Sequence, residues 1–379
     1  MKIGIVCYPT FGGSGVVATE LGKALAAKGH QVHFITYSQP FRLETFTPNI
    51  FYHEVVVTDY PLFEYQPYEL VLSSRLVDVV RNEKLDLLHV HYAIPHASAA
   101  YMAQQILKEE GIDIPFITTL HGTDITLVGR DESFEPVITF TINKSNAVTA
   151  VSESLKEDTF RYFHVKREID VIPNFICPND YGQARSNCQR QMFAPAGERI
   201  MVHVSNFRKV KRVEDVLRVF DKVRQQIPTK LILVGDGPER HNIERLCREL
   251  NTCNDIHSLG KVQNPAEILS IGDLFILPSE TESFGLSALE AMASYMPVIS
   301  TNTGGLPEVN INGITGFTSD VGDIDDMAKN AIHVLKDETT LQQFKARARE
   351  QAMKFDIRVI LPVYEELYER VTHKKLITA

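Results

Sequence analysis

The sequence predicts an α/β protein built from two Rossmann-like, doubly wound parallel-sheet domains that face a central cleft. Three observations support this prediction. The chain has 379 residues, which is more than one hydrophobic core usually supports. Short apolar runs alternate with amphipathic segments, as is typical of parallel strands covered by helices. A polar stretch at residues 175–198, with prolines at 178 and 195, separates two such series and indicates a linker.

The elements of the first half follow in order. Residues 2–7 are predicted as a buried strand, and a helix is predicted over about residues 15–28. Within that helix Val17, Leu21 and Leu25 recur on one apolar stripe, and Gly29 ends it. The remaining strands of this half are predicted at residues 31–36, 86–91, 115–120, 146–151 and 169–174.

The second half repeats the pattern. Its strands are predicted at residues 199–204, 230–235, 273–278 and 297–301. The predicted domains are therefore 1–174 and 175–355, and the helical segment 356–379 is predicted to pack back on the first domain. Ligands of such folds bind at the carboxyl ends of the strands, so we expect the functional residues in the loops that follow them.

Composition and charge argue against several classes of protein. Apolar residues make up 44% of the chain and charged residues 23%, as in globular proteins. The net charge of −9 disfavours nucleic acid as a partner. No apolar run is long enough to span a membrane, and the first residues lack a signal-peptide pattern. Five scattered cysteines predict reduced thiols and a cytoplasmic location.

The segment from Glu282 to Glu290 is the strongest candidate for a binding site. It follows a predicted strand and opens a helix near Gly285 and Leu286. Two carboxylates so placed can accept hydrogen bonds from hydroxyl groups at both ends of one ligand, and free N–H groups near Phe284–Leu286 can bind an anion. A nucleotide sugar fits this arrangement. The alternative is a pair of solvated glutamates, which are common near helix starts.

A second candidate is the basic segment that follows Ser205. Four cations, Arg208, Lys209, Lys211 and Arg212, lie within five positions at the carboxyl end of a strand. Arginine offers a planar fork and lysine a point charge to a diphosphate. Cations are unfavourable at a helix N-terminus, so an anion nearby is the favoured interpretation. A solvated basic helix start remains the alternative.

Two further loops follow strands of the first half. Gly13, Gly15 and Ala18 match the pattern G-x-G-x-x-A, but no acidic residue follows the next strand, so a flexible turn near a ligand is predicted in place of an NAD site. His121 precedes Gly122 at another strand end and either faces the cleft or is satisfied locally. The histidines at 89, 91 and 96 form no convincing metal-ligand set, and we predict neither a metal nor a cofactor.

Together these segments resemble the retaining glycosyltransferases of family 4, which have the GT-B fold and carry an E-x7-E motif, here Glu282 to Glu290. The resemblance spans essentially the whole chain. The strings SNFRKVKR and HYAIPHA narrow it to family members that act on a hydroxy acid. The resemblance implies UDP-N-acetylglucosamine as donor and L-malate as acceptor, with retention of the α-anomer, as in the first step of bacillithiol biosynthesis.

The resemblance also implies roles for individual residues. Glu290 would hold the ribose, Glu282 the sugar, and Arg208 with Lys211 the diphosphate, whereas His121 would lie beside the transferred sugar. The implied catalytic residues are His121, Arg208, Lys211 and Glu282. The implied donor-binding residues are Gly13, Ser205, Arg208, Lys211, Lys261, Val262, Glu282, Phe284, Gly285, Leu286 and Glu290. The implied acceptor-binding residues are Ser14, Tyr92, Thr119 and Asn174.

One departure from the family pattern bears on the phosphate site, because many members have Gly-Arg where this chain has Ser205-Asn206. The assignment of the phosphate-binding arginine to Arg208 is therefore an inference. Other functions also stay open: a nucleotide-sugar 2-epimerase of the same fold, a non-catalytic nucleotide-sugar sensor, and, less favoured, an NAD dehydrogenase. The sequence leaves a homo-oligomer open.

Overall fold

A computed structural model describes residues 1–10, 12–43, 46–58, 63–181 and 187–373. The strands are β1 (Lys2–Val6), β2 (Gln31–Thr36), β3 (Ile50–Glu54), β4 (Leu87–His91), β5 (Phe116–Leu120), β6 (Ala147–Ala150), β7 (Ile169–Val171), β8 (Arg199–Val204), β9 (Thr229–Val234), β10 (Ile256–Gly260), β11 (Leu274–Leu277), β12 (Val298–Thr301) and β13 (Gly316–Ser319).

The helices are α1 (Gly13–Ala27), α2 (Tyr68–Glu83), α3 (Ser98–Glu109), α4 (Glu135–Lys144), α5 (Glu153–Tyr162), α6 (Asn187–Phe193), α7 (Val213–Arg224), α8 (Arg240–Glu249), α9 (Ala266–Leu269), α10 (Leu286–Ala293), α11 (Leu306–Val309), α12 (Ile324–Leu335), α13 (Glu338–Met353) and α14 (Ile357–Thr372). Single turns of 3₁₀ or wider helix occur between them, among them Lys209–Lys211.

The contacts within the chain divide it into two compact units. Unit 1 comprises Met1–Asn174 with Ile357–Ala379, and unit 2 comprises Phe175–Asp356. Unit 1 holds a seven-stranded sheet of order β3-β2-β1-β4-β5-β6-β7, and unit 2 a six-stranded sheet of order β10-β9-β8-β11-β12-β13. All pairings are parallel. The prediction of two doubly wound parallel-sheet domains is confirmed.

The apolar runs of the central strands explain why both sheets are sandwiched by helices. Strands β4 and β5 are buried along their whole length, as expected of strands covered on both faces. In unit 1 one core cluster joins the sheet to α2 and α3. In unit 2 a larger cluster joins β8, β9, β11 and β12 to α7, α8, α12 and α13.

Three local predictions need correction. The segment around Gly13 and Gly15 is the first turn of α1 and no flexible turn; a Cβ on Gly15 would lie 2.5 Å from the Tyr8 carbonyl oxygen, so close packing explains that glycine. The predicted linker contains α6; its residues 182–186 lie outside the described residues, as do 374–379 of the predicted terminal helix.

The third correction concerns the cysteines. The structure places Cys247 and Cys253 with Cα atoms 5.3 Å apart, within the range of disulfide partners, so these two cysteines are not scattered as the sequence suggested. The end of α8 and the turn after it bring the two residues together. Cys7 is a buried free thiol. No helix among the described residues has both the length and the apolar character that a bilayer crossing requires.

Candidate active site

The carboxyl ends of β8 and β11 meet at the centre of the unit 2 sheet. These strands are neighbours, although two strands, β9 and β10, separate them in the order of the chain. The order of the strands reverses at this point, which in open α/β sheets is where ligands bind. The loop after β8 carries the basic segment, and the loop after β11 carries Glu282. A hydrogen bond from the Glu280 amide to the Val210 carbonyl oxygen (2.8 Å) joins the two loops.

Lys211 and Glu282 form an ion pair at this place. Lys211 Nζ donates to Glu282 Oε2 at 2.6 Å, and both side chains are largely shielded from solvent. Ser279 Oγ donates to the same oxygen at 3.3 Å. The structure therefore brings together two of the predicted catalytic residues, which are separated by seventy-one positions in the chain.

The other cations of the basic segment differ in their surroundings. Arg208 and Lys209 are exposed, and neither forms an ion pair with any residue that the structure describes. Arg212 instead donates to the buried carboxylate of Asp215 at 2.5 Å. The sequence predicted an anion near this helix start. For Arg212 that anion is Asp215, in the first turn of α7. Lys211 and Arg208 remain available to a ligand.

Glycines hold both loops where no side chain would fit. Gly304 has φ +56, and a Cβ there would lie 2.0 Å from the carbonyl oxygen of Glu282. The neighbouring Gly305 amide donates to that same oxygen at 2.9 Å. Gly235 has φ +127, and a Cβ there would lie 1.8 Å from the Ser205 carbonyl oxygen. Each loop is therefore positioned by close backbone contact.

Ser205 is oriented by a histidine that the sequence analysis missed. His203 is buried, and its Nδ1 lies 2.8 Å from the Ile276 carbonyl oxygen, which can only accept. Burial, with a smaller effect of Lys211, lowers the pKa of His203 to about 4. A neutral ring with Nδ1 protonated accepts at Nε2, so Ser205 Oγ donates to it at 2.7 Å. Ser205 therefore presents lone pairs, and no proton, to a ligand.

Helix α10 begins immediately after the loop that holds Glu282. Its N-cap is Gly285, with φ +93, which has no side chain to cap the N–H groups of the first turn. Phe284 is buried with its ring against Phe355, which leaves only its backbone for a ligand. Gly285, Leu286 and Phe284 thus offer backbone donors at one helix end.

Glu290 lies one turn into α10 and is buried. Its Oε1 accepts a hydrogen bond from the hydroxyl of Tyr181 at 2.9 Å. No sequence pattern indicates this contact, because the two residues are 109 positions apart. Lys261 and Val262 follow β10, two strands away from β8; Lys261 is exposed and Val262 half-buried. Because all the strands are parallel, Lys261 and Val262 lie at the same edge of the sheet as the loops after β8 and β11.

In unit 1, Ser14 and Tyr92 come together at the ends of β1 and β4. The Tyr92 hydroxyl donates to Ser14 Oγ at 2.6 Å, and burial raises the pKa of that phenol. Gly13, beside Ser14, is the first residue of α1. The structure thus unites two of the four predicted acceptor-binding residues.

His121 belongs to a cluster of imidazoles. It is half-buried, and its Nε2 lies 2.8 Å from His91 Nδ1. Burial lowers the pKa of His121 to about 3, so the ring is neutral near pH 7. Asp124 is a buried carboxylate that accepts from the amides of Ala93 and Gly122, each at 3.0 Å. It joins the loops after β4 and β5, and no sequence motif assigns it a role.

Thr119 and Asn174, the other two predicted acceptor-binding residues, are both buried but differ in their hydrogen bonds. Thr119 is fully buried in β5, and its Oγ1 is bonded to His89 and Thr149, at 2.7 Å each, so its hydroxyl is not presented to a ligand here. Asn174 is also buried, but its Oδ1 has no partner among the residues that the structure describes. An unpaired buried acceptor can receive a hydrogen bond from a ligand.

Two family models match the chain. Residues 11–180 match the model described as Glycosyltransferase Family 4, and residues 185–351 match the model described as Glycosyl transferases group 1. Over 370 residues the chain is 47% identical to N-acetyl-alpha-D-glucosaminyl L-malate synthase from Bacillus anthracis, which covers 97% of this chain and 96% of that protein. It is 26% identical to an uncharacterized glycosyltransferase from Methanocaldococcus jannaschii, over 83% and 84% of the two chains.

Solved structures show the same architecture. Sucrose-phosphate synthase from Thermosynechococcus elongatus is similar with a TM-score of 0.81 at 22% identity, over 98% of this chain and 99% of that chain. The Anabaena HepE protein in complex with UDP-glucose has a TM-score of 0.81 at 19% identity, over 98% and 100%. The fold is GT-B. The two family models and the 47% identity to the Bacillus anthracis protein show that the chain belongs to glycosyltransferase family 4. It is a glycosyltransferase.

Proposed function

We propose that this enzyme transfers N-acetylglucosamine from UDP-N-acetylglucosamine to the hydroxyl group of L-malate with retention of the α-configuration, the first step of bacillithiol biosynthesis. The observation that carries the proposal is the 47% identity, over 97% of the chain, to the Bacillus anthracis N-acetyl-alpha-D-glucosaminyl L-malate synthase. The geometry of each unit supports it separately.

The Lys211–Glu282 pair supports the binding of a sugar diphosphate. One of the three N–H donors of Lys211 points at Glu282 Oε2, which leaves two for phosphate oxygens. Glu282 Oε1 accepts no hydrogen bond from the described residues, so it can receive one from a sugar hydroxyl. In this proposal Glu282 both orients Lys211 and holds the sugar.

The remaining donor contacts follow from the same edge of the unit 2 sheet. Arg208 is exposed and supplies a second cation for the diphosphate, and the first turn of α10 supplies backbone N–H groups. Glu290, oriented by Tyr181, binds the ribose hydroxyls. The backbone around Lys261 and Val262 meets the uracil.

Acceptor binding is assigned to unit 1. The Ser14–Tyr92 pair and the unpaired Asn174 Oδ1 provide hydroxyl and amide groups for the malate. Neutral His121 can accept a hydrogen bond from a hydroxyl group of the transferred sugar. Thr119 takes part only if its buried hydroxyl exchanges partners, so we give it a structural role behind the site.

The reaction breaks the bond between the sugar C1 and the β-phosphate oxygen and forms a bond between C1 and the malate oxygen. Negative charge grows on the departing UDP, so Lys211, Arg208 and the α10 N-terminus stabilise the transition state. The proton of the malate hydroxyl passes to the departing phosphate on the same face of the sugar. That route retains the anomeric configuration and needs no protein nucleophile.

The test is a UDP-release assay in which UDP-N-acetylglucosamine and UDP-glucose are each crossed with L-malate, D-malate and L-lactate. We expect rapid UDP release only with UDP-N-acetylglucosamine and L-malate, and an α-anomeric proton in the NMR spectrum of the product. Release with another acceptor would contradict the assignment of malate, and a β-product would contradict retention.

The same assay separates the other candidate functions. An epimerase would change the sugar of UDP-N-acetylglucosamine without any acceptor, and a sensor would bind UDP but release none on long incubation. The cytoplasmic location stays a prediction that cell fractionation tests, and light scattering determines the oligomeric state, which the sequence leaves open.

A further inference from the structure

A cluster of three side chains suited to metal binding lies in unit 1, apart from every residue assigned above. It consists of His33, His53 and Glu83. One ring nitrogen of each histidine and one carboxylate oxygen of Glu83 lie within 4.8 Å of one another. His53 follows His33 by twenty positions, and Glu83 follows His53 by thirty. This spacing matches no short metal-binding motif, and no metal was predicted from the sequence.

The sheet places the two histidines on one face. In the parallel pairing of β2 with β3, His33 lies opposite Phe51 and Ile35 lies opposite His53. Side chains two residues apart along a strand point to the same side, so His33 and His53 are diagonal neighbours. Their rings stack with centroids 5.2 Å apart.

Helix α2 brings the carboxylate to the same place. Its apolar face packs on the sheet, because Leu76 and Val80 share a core cluster with Ile35 of β2. The helix ends at Glu83, since Lys84 adopts a left-handed conformation with φ +56. The last residue of α2 thus reaches the pair of histidines.

We propose that His33, His53 and Glu83 bind a divalent transition metal ion, with Zn²⁺ as the best match. Two imidazoles and one carboxylate form a donor set that suits Zn²⁺, whereas Ca²⁺ and Mg²⁺ prefer oxygen ligands alone. His33 Nδ1 and His53 Nε2 are 2.9 Å apart. Two nitrogens on a tetrahedral zinc are about 3.3 Å apart, so the rings need only a small separation. Water completes the coordination.

The groups around the cluster determine its charge and its hydrogen bonds. The contact with His53 satisfies Nδ1, but Nε2 is buried with no partner among the residues described. Glu83 contributes the negative charge that a dication requires, whereas Lys2 and Arg75 are the nearby cations that oppose it. Lys2 Nζ donates to the backbone carbonyl oxygen of Glu83 at 2.9 Å, and no ion pair between it and the Glu83 carboxylate occurs among the described residues.

A metal at this place ties the edge strand β3 to its neighbour and to the end of α2. Strand β3 is half-exposed and lies at the border of the sheet. The ion therefore stabilises unit 1 and takes no part in sugar transfer.

The test uses the full-length, untagged protein after removal of metals by a chelator. Zn²⁺ is titrated in competition with a chromophoric chelator, and Co²⁺ is added separately to record its visible absorption spectrum. We expect one equivalent of either ion, a Co²⁺ spectrum of low coordination number, and a melting temperature that rises with Zn²⁺. His53→Gln and Glu83→Gln should each weaken binding at least about tenfold.

The matched control is His164→Gln, which removes an exposed imidazole elsewhere in unit 1 and should leave the affinity unchanged. Circular dichroism checks that each variant is folded. If one of the two ligand variants does not fold, the other still tests the proposal. The proposal is overturned if the wild-type protein binds no stoichiometric Zn²⁺, or if binding survives undiminished in a folded His53→Gln or Glu83→Gln protein. UDP release is expected to be the same with and without the metal.

Discussion

At the scale of single residues, the Lys211–Glu282 pair offers the most direct test of the donor site. We expect Lys211→Ala to lower kcat about 10²- to 10³-fold, the usual cost of removing one donor to developing negative charge. The variant loses a cation for the departing phosphate and leaves Glu282 Oε2 with Ser279 as its one partner among the described residues. Steady-state UDP release at saturating donor and acceptor measures the effect.

Lys209→Ala is the matched control, because Lys209 belongs to the same short turn but is exposed and pairs with none of the described residues. Its kcat should stay within about twofold of the wild type, since a surface charge contributes little. Equal losses in both variants would indicate a general electrostatic effect of the basic segment and would contradict a specific role for Lys211.

The sequence predicted which residues carry charge at the candidate site but not which residues hold them. The E-x7-E segment and the basic segment are each continuous in the sequence, so their composition alone was visible. Tyr181 and His203 act through contacts with Glu290 and Ser205, and a tyrosine or a strand histidine has no feature in the sequence that distinguishes it from a core residue. Only the folded chain reveals such supports.

At the scale of elements, the loop after β12 determines where Glu282 lies. We expect Gly304→Ala to destabilise unit 2 by more than about 2 kcal/mol, because an alanine at positive φ costs about 1–2 kcal/mol and its Cβ would also overlap the Glu282 backbone. Backbone atoms cannot rotate away as a side chain can. The displaced loop should also reduce kcat/KM for the donor.

Gly313→Ala provides the comparison, since Gly313 also has positive φ, +73, but no atom lies within 4 Å of its added Cβ. This variant should show the conformational cost alone, with normal activity. Thermal melting and UDP release of the two variants measure the difference; equal behaviour would show that the contact between Gly304 and Glu282 does not matter.

The strands that the sequence missed share one physical property. Strands β3, β10 and β13 each lie at an edge of a sheet, where one side and one face meet solvent. Their residues are only partly buried, so they lack the continuous apolar run that marks a strand covered on both faces. The central strands, such as β8 at Arg199–Val204, were predicted to within a residue or two. Strands that are buried on both faces need a continuous run of apolar residues, and this run is visible in the sequence.

At the scale of the whole molecule, the buried histidines predict that the protein loses stability in mild acid. Burial lowers the pKa of His89 and His121 to about 3 and that of His96 and His203 to about 4. The folded protein keeps these rings neutral, whereas the unfolded chain binds protons below about pH 6.5. Their contribution to stability is therefore complete above pH 6.5 and is lost as the pH falls toward 4.

Each such histidine should lower the free energy of unfolding by about 1.4 kcal/mol per pH unit in that window. Asp124 opposes the trend, because burial raises its pKa, but it is one group against several. Urea denaturation followed by circular dichroism between pH 7.5 and 4.5 should show midpoints that fall steeply below pH 6.5. His89→Gln keeps a donor and an acceptor for Tyr368 and Thr119 and should reduce the slope, whereas the exposed His164→Gln should not. Midpoints that stay constant down to pH 5 would mean that the rings titrate normally in the folded protein.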